Sequence, residues 1–225
     1  MPVIPLAELV PLAVGIALNP PAVVAVILML SSAHPSRNAL SFVAGWMTGL
    51  LVAGAVILAL GDAAAALGGP SAIGLVVKLA VGVALVWLAF RQWRSHKKAS
   101  GEKEMPGWMR SLADFTGVKS FAAAALFAGL NPKSLALNIA GVLVIVEAEL
   151  PVATQVIALV LFAVMASVTV AAPVVYHLVA PERSVRALER AKDWLIANNA
   201  AVTSGVLLVL GIALLLSGVQ GLGAL

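Results

Sequence analysis

Apolar residues run along this chain in continuous blocks of about 20 or more, the length a helix needs to cross ~30 Å of hydrocarbon. The pattern predicts membrane-spanning helices at about 6–31, 39–60, 71–93, 121–146, 152–178 and 199–221. The blocks do not alternate every second residue, which sets aside the ~10-residue strands of a membrane barrel. One further stretch, about 181–197, has a different period. In a helix Val185, Leu188, Leu195 and the amphipathic Trp194 can face lipid, and Arg183, Arg186, Arg190 and Lys192 can face water. That is the pattern of an amphipathic helix lying in the membrane interface. The fold class predicted is therefore an all-α integral membrane protein of six transmembrane helices.

Composition agrees. Of 225 residues, 62% are hydrophobic and 11% charged, whereas soluble domains are nearer half apolar and a quarter charged. There is too little polar surface to cover a water-soluble globule. No cysteine is present, so disulfides and thiolate chemistry are excluded. No Lys or Arg precedes Arg37 and no small-x-small cleavage site follows the first block, so that block reads as a permanent span and not as a secretory signal.

Charge orients the spans. Twelve of the 14 basic residues lie after spans 1, 3 and 5: Arg37; then Arg91, Arg94, Lys97, Lys98, Lys103, Arg110 and Lys119; then Arg183, Arg186, Arg190 and Lys192. The connections after spans 2 and 4 carry only Asp62, Glu147 and Glu149. The positive-inside rule then puts the basic linker 94–120 in the cytoplasm and both termini outside, in the plasma membrane. The net charge of +4 is thereby accounted for by topology, with no nucleic-acid partner implied.

The chain also repeats itself. Leu18-Asn19-Pro20 in span 1 recurs as Leu130-Asn131-Pro132 in span 4, and Pro35 and Pro151 introduce the following spans. Span 1 runs inward and span 4 outward. Residues 1–93 and 121–225 therefore read as two three-helix halves of opposite orientation, a 3+3 inverted-topology repeat joined by the linker 94–120. In transporters of this layout the site lies where two interrupted helices meet near the midplane.

The candidate chemistry follows from these breaks. Proline removes a backbone donor and clashes with the carbonyl four residues earlier, and in hydrocarbon a freed carbonyl must find a partner in protein or water. Asn19-Pro20-Pro21 and Asn131-Pro132 each lie roughly 18 Å into their spans at ~1.5 Å per residue. Lys133 beside the second break is the sharpest residue, because a mid-bilayer lysine costs about 2.5–3.5 kcal/mol and faces the bundle interior. It can bind an anion, or it can bond the carbonyls freed by the break in span 1. Those carbonyls and the side chains of Asn19 and Asn138 are its expected partners, with Asn138 sharing its cavity. Lys78 can snorkel to the outer face. Thr48, Ser167 and Thr169 are expected to bond within their own helices, Gly45 and Gly49 to form a small-residue packing face, and Tyr176 to act as an interfacial anchor. No Asp or Glu lies deep in any span, and no phosphate loop or metal-ligand spacing appears. No metal or cofactor is expected and no base–nucleophile pair lies within the spans, so the chain is not expected to be an enzyme.

These motifs are similar to those of a known family. The breaks Asn19-Pro20 and Asn131-Pro132-Lys133 in an inverted repeat resemble the lysine-exporter (LysE) superfamily. More narrowly the chain resembles the actinobacterial peptidoglycolipid-addressing, or sulfolipid-addressing, proteins. The matching stretches are Ala25 to Leu30, Leu40 to Trp46, Arg91 to Arg94, Pro106 to Met109, Gly129 to Lys133, Ser167 to Pro173, and Trp194-Leu195 with Asn198-Asn199-Ala200. The resemblance spans nearly the whole chain, with one departure: Asn19 is followed by two prolines where a single one is expected. It implies an exporter or translocator of a cell-envelope glycolipid or lipid precursor. The alternatives are an exporter of a small solute such as an amino acid, as the wider superfamily implies, and a non-transporting assembly factor for envelope-lipid export that docks synthesis or export proteins through the linker 94–120. Membrane lipids and a second copy of the chain complete the candidate partners.

The charge partition generates a direct test. In a chain without native cysteine, Ala64→Cys is expected to react with an impermeant thiol reagent in intact cells and Ser100→Cys only after permeabilisation. Labelling of the second but not the first would reverse the topology.

Overall fold

The computed structural model describes residues 3–66, 70–98 and 115–222. Among these it is all helical: α1 Leu6–Ala17, α2 Pro20–Leu30, α3 Pro35–Ala66, α4 Pro70–Lys98, α5 Gly117–Leu130, α6 Pro132–Glu147, α7 Val152–Val179 and α8 Pro181–Leu222. Most of the basic linker, residues 99–114, and the side chain of Lys78 lie outside the described residues.

The two expected breaks are present. The axes of α1 and α2 are bent by 55° at Leu18-Asn19, and those of α5 and α6 by 63° at Asn131. Pro20 and Pro132 stand at the first position of the helix that follows each break, where a missing N–H costs nothing. Pro35–Ala63, Val152–Val179 and Pro181–Leu216 are each long and apolar enough to cross a membrane, and the bent pairs raise the number of candidate spans to five. The expected span 71–93 falls on α4, many of whose side chains are not among those described. Large apolar side chains cover the outside, among them Leu60, Phe90, Leu126, Val168 and Val209. Such a surface suits lipid and not water.

The C-terminal region differs from expectation. The amphipathic stretch at 181–197 and the apolar stretch at 199–221 are not separate elements but one continuous helix of 42 residues. The reason is local: no Pro or Gly lies between Pro181 and Gly205, so nothing terminates the helix. The polar junction is absorbed into it, with Asn198 Nδ2 donating to the Trp194 carbonyl at 2.9 Å and Thr203 Oγ1 to Asn199 Oδ1 at 3.2 Å.

Helix pairing places the core. The most extensive contacts are α3 against α5 and α4 against α8. α1 packs on α7 and α6, α2 on α8 and α7, and α6 on α3 and α4. Glycine sets the closest approaches. A Cβ on Gly45 would lie 2.1 Å from the Phe121 carbonyl oxygen, and one on Gly49 would lie 2.2 Å from that of Ala125. The Gly45–Gly49 face is thus used as the sequence predicted. Trp46, on the same stretch of α3, is fully buried and meets the Phe127 ring at 6.0 Å between centroids. Gly82 and Gly211 play the corresponding part between α4 and α8, where a Cβ on Gly211 would lie 3.0 Å from the Val86 nitrogen.

Because any side chain at Gly49 must push two backbones apart, Gly49→Ala is expected to cost about 1–3 kcal/mol. Gly205 has open space where its Cβ would stand, so Gly205→Ala is expected to be neutral or to stabilise by up to ~1 kcal/mol through helix propensity. Thermal unfolding of the two purified variants in one detergent checks this. Equal midpoints would contradict the α3–α5 packing.

Candidate functional site

The site begins with carbonyls left over at the break between α1 and α2. Pro20 and Pro21 cannot donate to the carbonyls of the preceding turn. Ala22, whose regular partner would be the Leu18 carbonyl, turns instead to the Asn19 carbonyl at 3.0 Å, which also takes the Val23 nitrogen at 3.1 Å. The last carbonyls of α1 therefore need partners from elsewhere in the fold. Ala17 accepts from the Asn19 nitrogen at 2.7 Å and from the Thr169 hydroxyl of α7. Leu18 accepts from Lys133 Nζ of α6 at 2.5 Å. The second break is made differently. Asn131 Oδ1 caps α6, accepting from the Lys133 and Ser134 nitrogens at 3.0 and 3.4 Å, and the Asn131 carbonyl takes the Leu135 nitrogen at 2.8 Å. Asn19 does not cap α2; its Nδ2 reaches across to Ser134 Oγ at 3.5 Å.

The two breaks thus meet. Between them lies a cleft of about 210 Å³ lined by Asn19, Pro21, Asn131, Pro132 and Lys133. Its remaining wall comes from α4, with Leu88 and Gln92, and from α8, with Asn199, Thr203 and Leu207. Lys133 is buried, and its ammonium supplies the cleft's one formal charge among these residues. The charge meets a partial charge of opposite sign, from one of the carbonyls freed by the break. Leu18 ends α1, and the carbonyl end of a helix carries partial negative charge.

Helix N-termini commonly hold anions through free amides. Here that route is closed. The first-turn amides of α2 are absent at Pro20 and Pro21 and bonded at Ala22 and Val23, and those of α6 are taken by Asn131. An anion entering the cleft meets the Lys133 ammonium and neutral side chains, not backbone donors.

Of the residues expected at the site, Asn19, Pro21, Asn131, Pro132 and Lys133 are brought together. Pro20 is buried beside them and acts through its missing donor. Asn138 is not in the cleft. Five residues from Lys133 is about 140° around a helix, so it points the other way, and its Nδ2 donates to the Leu50 carbonyl of α3 at 3.0 Å. Thr48 and Ser167 bond within their own helices as expected, at 2.8 and 2.6 Å. Thr169 does not, because the carbonyl end of α1 is packed against it. Gln92, Asn199 and Thr203 were not singled out by sequence reasoning. Gln92 and Asn199 lay within stretches of family resemblance, but nothing local in sequence aims them at the breaks.

The family model described as "Sap, sulfolipid-1-addressing protein" matches residues 9–220. The chain belongs to this family. The match covers both breaks and all the residues lining the cleft. No curated protein and no solved structure matches the chain.

The contrast between Thr169 and its neighbour makes a test. Thr169→Val removes a donor from a carbonyl at the break and is expected to destabilise this Sap-family protein by about 0.5–1.5 kcal/mol. Ser167→Ala removes only a bond within one helix turn and is expected to change stability by less than ~0.5 kcal/mol. Unfolding midpoints in detergent measure both, and an unaltered Thr169→Val would remove the hydroxyl from the account of the break.

Proposed function

We propose that the chain exports or translocates a cell-envelope glycolipid or lipid precursor across the plasma membrane, with the cleft at the two Asn-Pro breaks as its headgroup site. The observation that carries this reading is the convergence of both breaks on the buried ammonium of Lys133. The family description names a sulfolipid, and an ammonium among neutral donors suits an anionic sulfur oxyacid group, whether sulfate or sulfonate. The cleft holds about seven waters' volume at ~30 Å³ each. That accommodates a headgroup while the acyl chains stay in lipid. The same volume favours a second reading, export of a small solute.

The six-span inverted repeat underlies the mechanism. It is supported by the way contacts exchange between halves: α3 on α5 matches α7 on α1, α6 on α4 matches α2 on α8, and α4 pairs with α8 about the centre. In the orientation set by the basic residues, Gln92 and Asn199 stand at cytoplasmic ends of their spans. The cleft runs from them to the breaks, so the headgroup is loaded from inside. On entry the anion competes with the Leu18 carbonyl for Lys133. Release of that carbonyl frees the end of α1 to move relative to α6, and alternating access proceeds as rocking of one half against the other. The role is non-enzymatic, since the polar groups lining the cleft are carboxamides, one hydroxyl and one ammonium. Membrane lipids are the immediate partners. A second copy of the chain and envelope-lipid synthesis or export proteins, docked through the linker 94–120, are further ones.

Export by cells expressing variants at matched membrane abundance tests the reading. Lys133→Ala is expected to abolish appearance of newly made glycolipid at the outer surface. Lys133→Arg is expected to retain part of it, because the charge persists with altered reach. Lys133→Glu is expected to fall below Lys133→Ala. Parental glycolipid export by Lys133→Glu would reduce Lys133 to a structural role, and a loss of amino-acid but not glycolipid export would favour the small-solute reading.

A further inference from the structure

The wall of the cleft opposite the breaks has a composition of its own. Gln92 of α4 and Asn199 and Thr203 of α8 are half-buried polar side chains set between the apolar Leu88 and Leu207. The Thr203 hydroxyl donates to Asn199 Oδ1 at 3.2 Å. That bond engages Oδ1 of Asn199, a residue lining the cleft, and its Nδ2 makes no hydrogen bond among the described residues. The Gln92 side chain makes no hydrogen bond among the described residues, so both a donor and an acceptor remain available on its carboxamide. A carboxamide within a span has a cost unless it finds a partner. Two of them on neighbouring helices, that of Asn199 braced by a hydroxyl, line the same cleft as Lys133.

We infer that Gln92, Asn199 and Thr203 form a hydroxyl-reading wall that makes the cleft selective for an anionic sugar headgroup over a simple anion. The inference rests on the headgroup site proposed above and assigns its specificity to the α4–α8 side. Carboxamides suit this role because each offers a donor and an acceptor side by side, which matches the vicinal hydroxyls of a sugar. They carry no formal charge, so the net charge at the cleft is left to Lys133. A site built to bond hydroxyls discriminates strongly against a ligand lacking them, because its own polar groups are then left unpaired.

The test uses the full chain in lipid nanodiscs and three short probes of equal tail length: hexyl sulfate, hexyl glucoside and a singly sulfated hexyl glucoside. Dissociation constants are read by calorimetric titration. The parent is expected to bind the sulfated glucoside at least tenfold more tightly than hexyl sulfate. Gln92→Met and Asn199→Leu are each expected to weaken the sulfated glucoside about tenfold while leaving hexyl sulfate within about twofold, and Thr203→Val is expected to give a smaller loss of the same kind. Lys133→Met is expected to weaken both sulfated probes and to leave hexyl glucoside unchanged. If Gln92→Met and Asn199→Leu weaken hexyl sulfate as much as the sulfated glucoside, or weaken neither, the wall does not read hydroxyls and the inference is overturned. If Lys133→Met leaves the sulfated probes unchanged while the wall variants still discriminate, the headgroup site proposed around Lys133 fails and the wall stands.

Discussion

Hydrocarbon offers no partner to a backbone carbonyl, and the break between α1 and α2 leaves carbonyls without the amides that a continuous helix would provide. Much of the site follows from how they are satisfied. Lys133 comes from α6 to Leu18 and Thr169 from α7 to Ala17. These two bonds tie the first half of the chain to the second at the point where the first is least regular. They also determine where the charge of Lys133 sits. An ammonium needs acceptors to remain in a low-dielectric interior, and the carbonyl end of α1 is an acceptor that carries negative partial charge. The break and the lysine therefore stabilise each other.

The two breaks resemble each other in sequence and differ in construction. At the second, Asn131 folds back as an N-cap and a single proline follows, so α6 starts as helices commonly do. At the first, Pro21 removes one of the two amides that an Asn side chain would cap, and the other, that of Ala22, bonds the Asn19 carbonyl. Asn19 is thereby released to point across to Ser134. Pro21 thus turns a capping position into one whose side chain bridges the two halves of the chain. It also silences the amides of α2 as an anion site. Positive charge at the cleft is left to one side chain, and a site with one cation and several carboxamides sorts ligands differently from one built of backbone amides.

Glycine governs the packing around the site. Gly45 and Gly49 let α3 approach the backbone of α5, and Gly82 and Gly211 do the same for α4 and α8. Association of helices in lipid lacks a hydrophobic drive and depends on such close contact. The seam between α4 and α8 is tight at its glycines, and further along it Gln92 and Asn199 contribute to the cleft wall.

The sequence by itself determined the membrane class, the places where two helices break, and the lysine at the second break. Each depends on properties local to the chain: the length of an apolar block, a proline's missing donor, and the cost of a charge within a span. The continuity of α8 was equally local, since it follows from the absence of Pro and Gly before Gly205, though polarity alone suggested two elements. Only the tertiary structure decided that Lys133 meets Leu18, that Thr169 leaves its own helix, that Asn138 turns to α3, and that Gln92, Asn199 and Thr203 complete the cleft. These are pairings between residues far apart in the chain, 115 positions in the case of Lys133 and Leu18. Which partner a polar side chain finds depends on the rotation of its helix and on the neighbour packed against that face, and hydrophobic periodicity is nearly blind to both in a helix that is apolar all round.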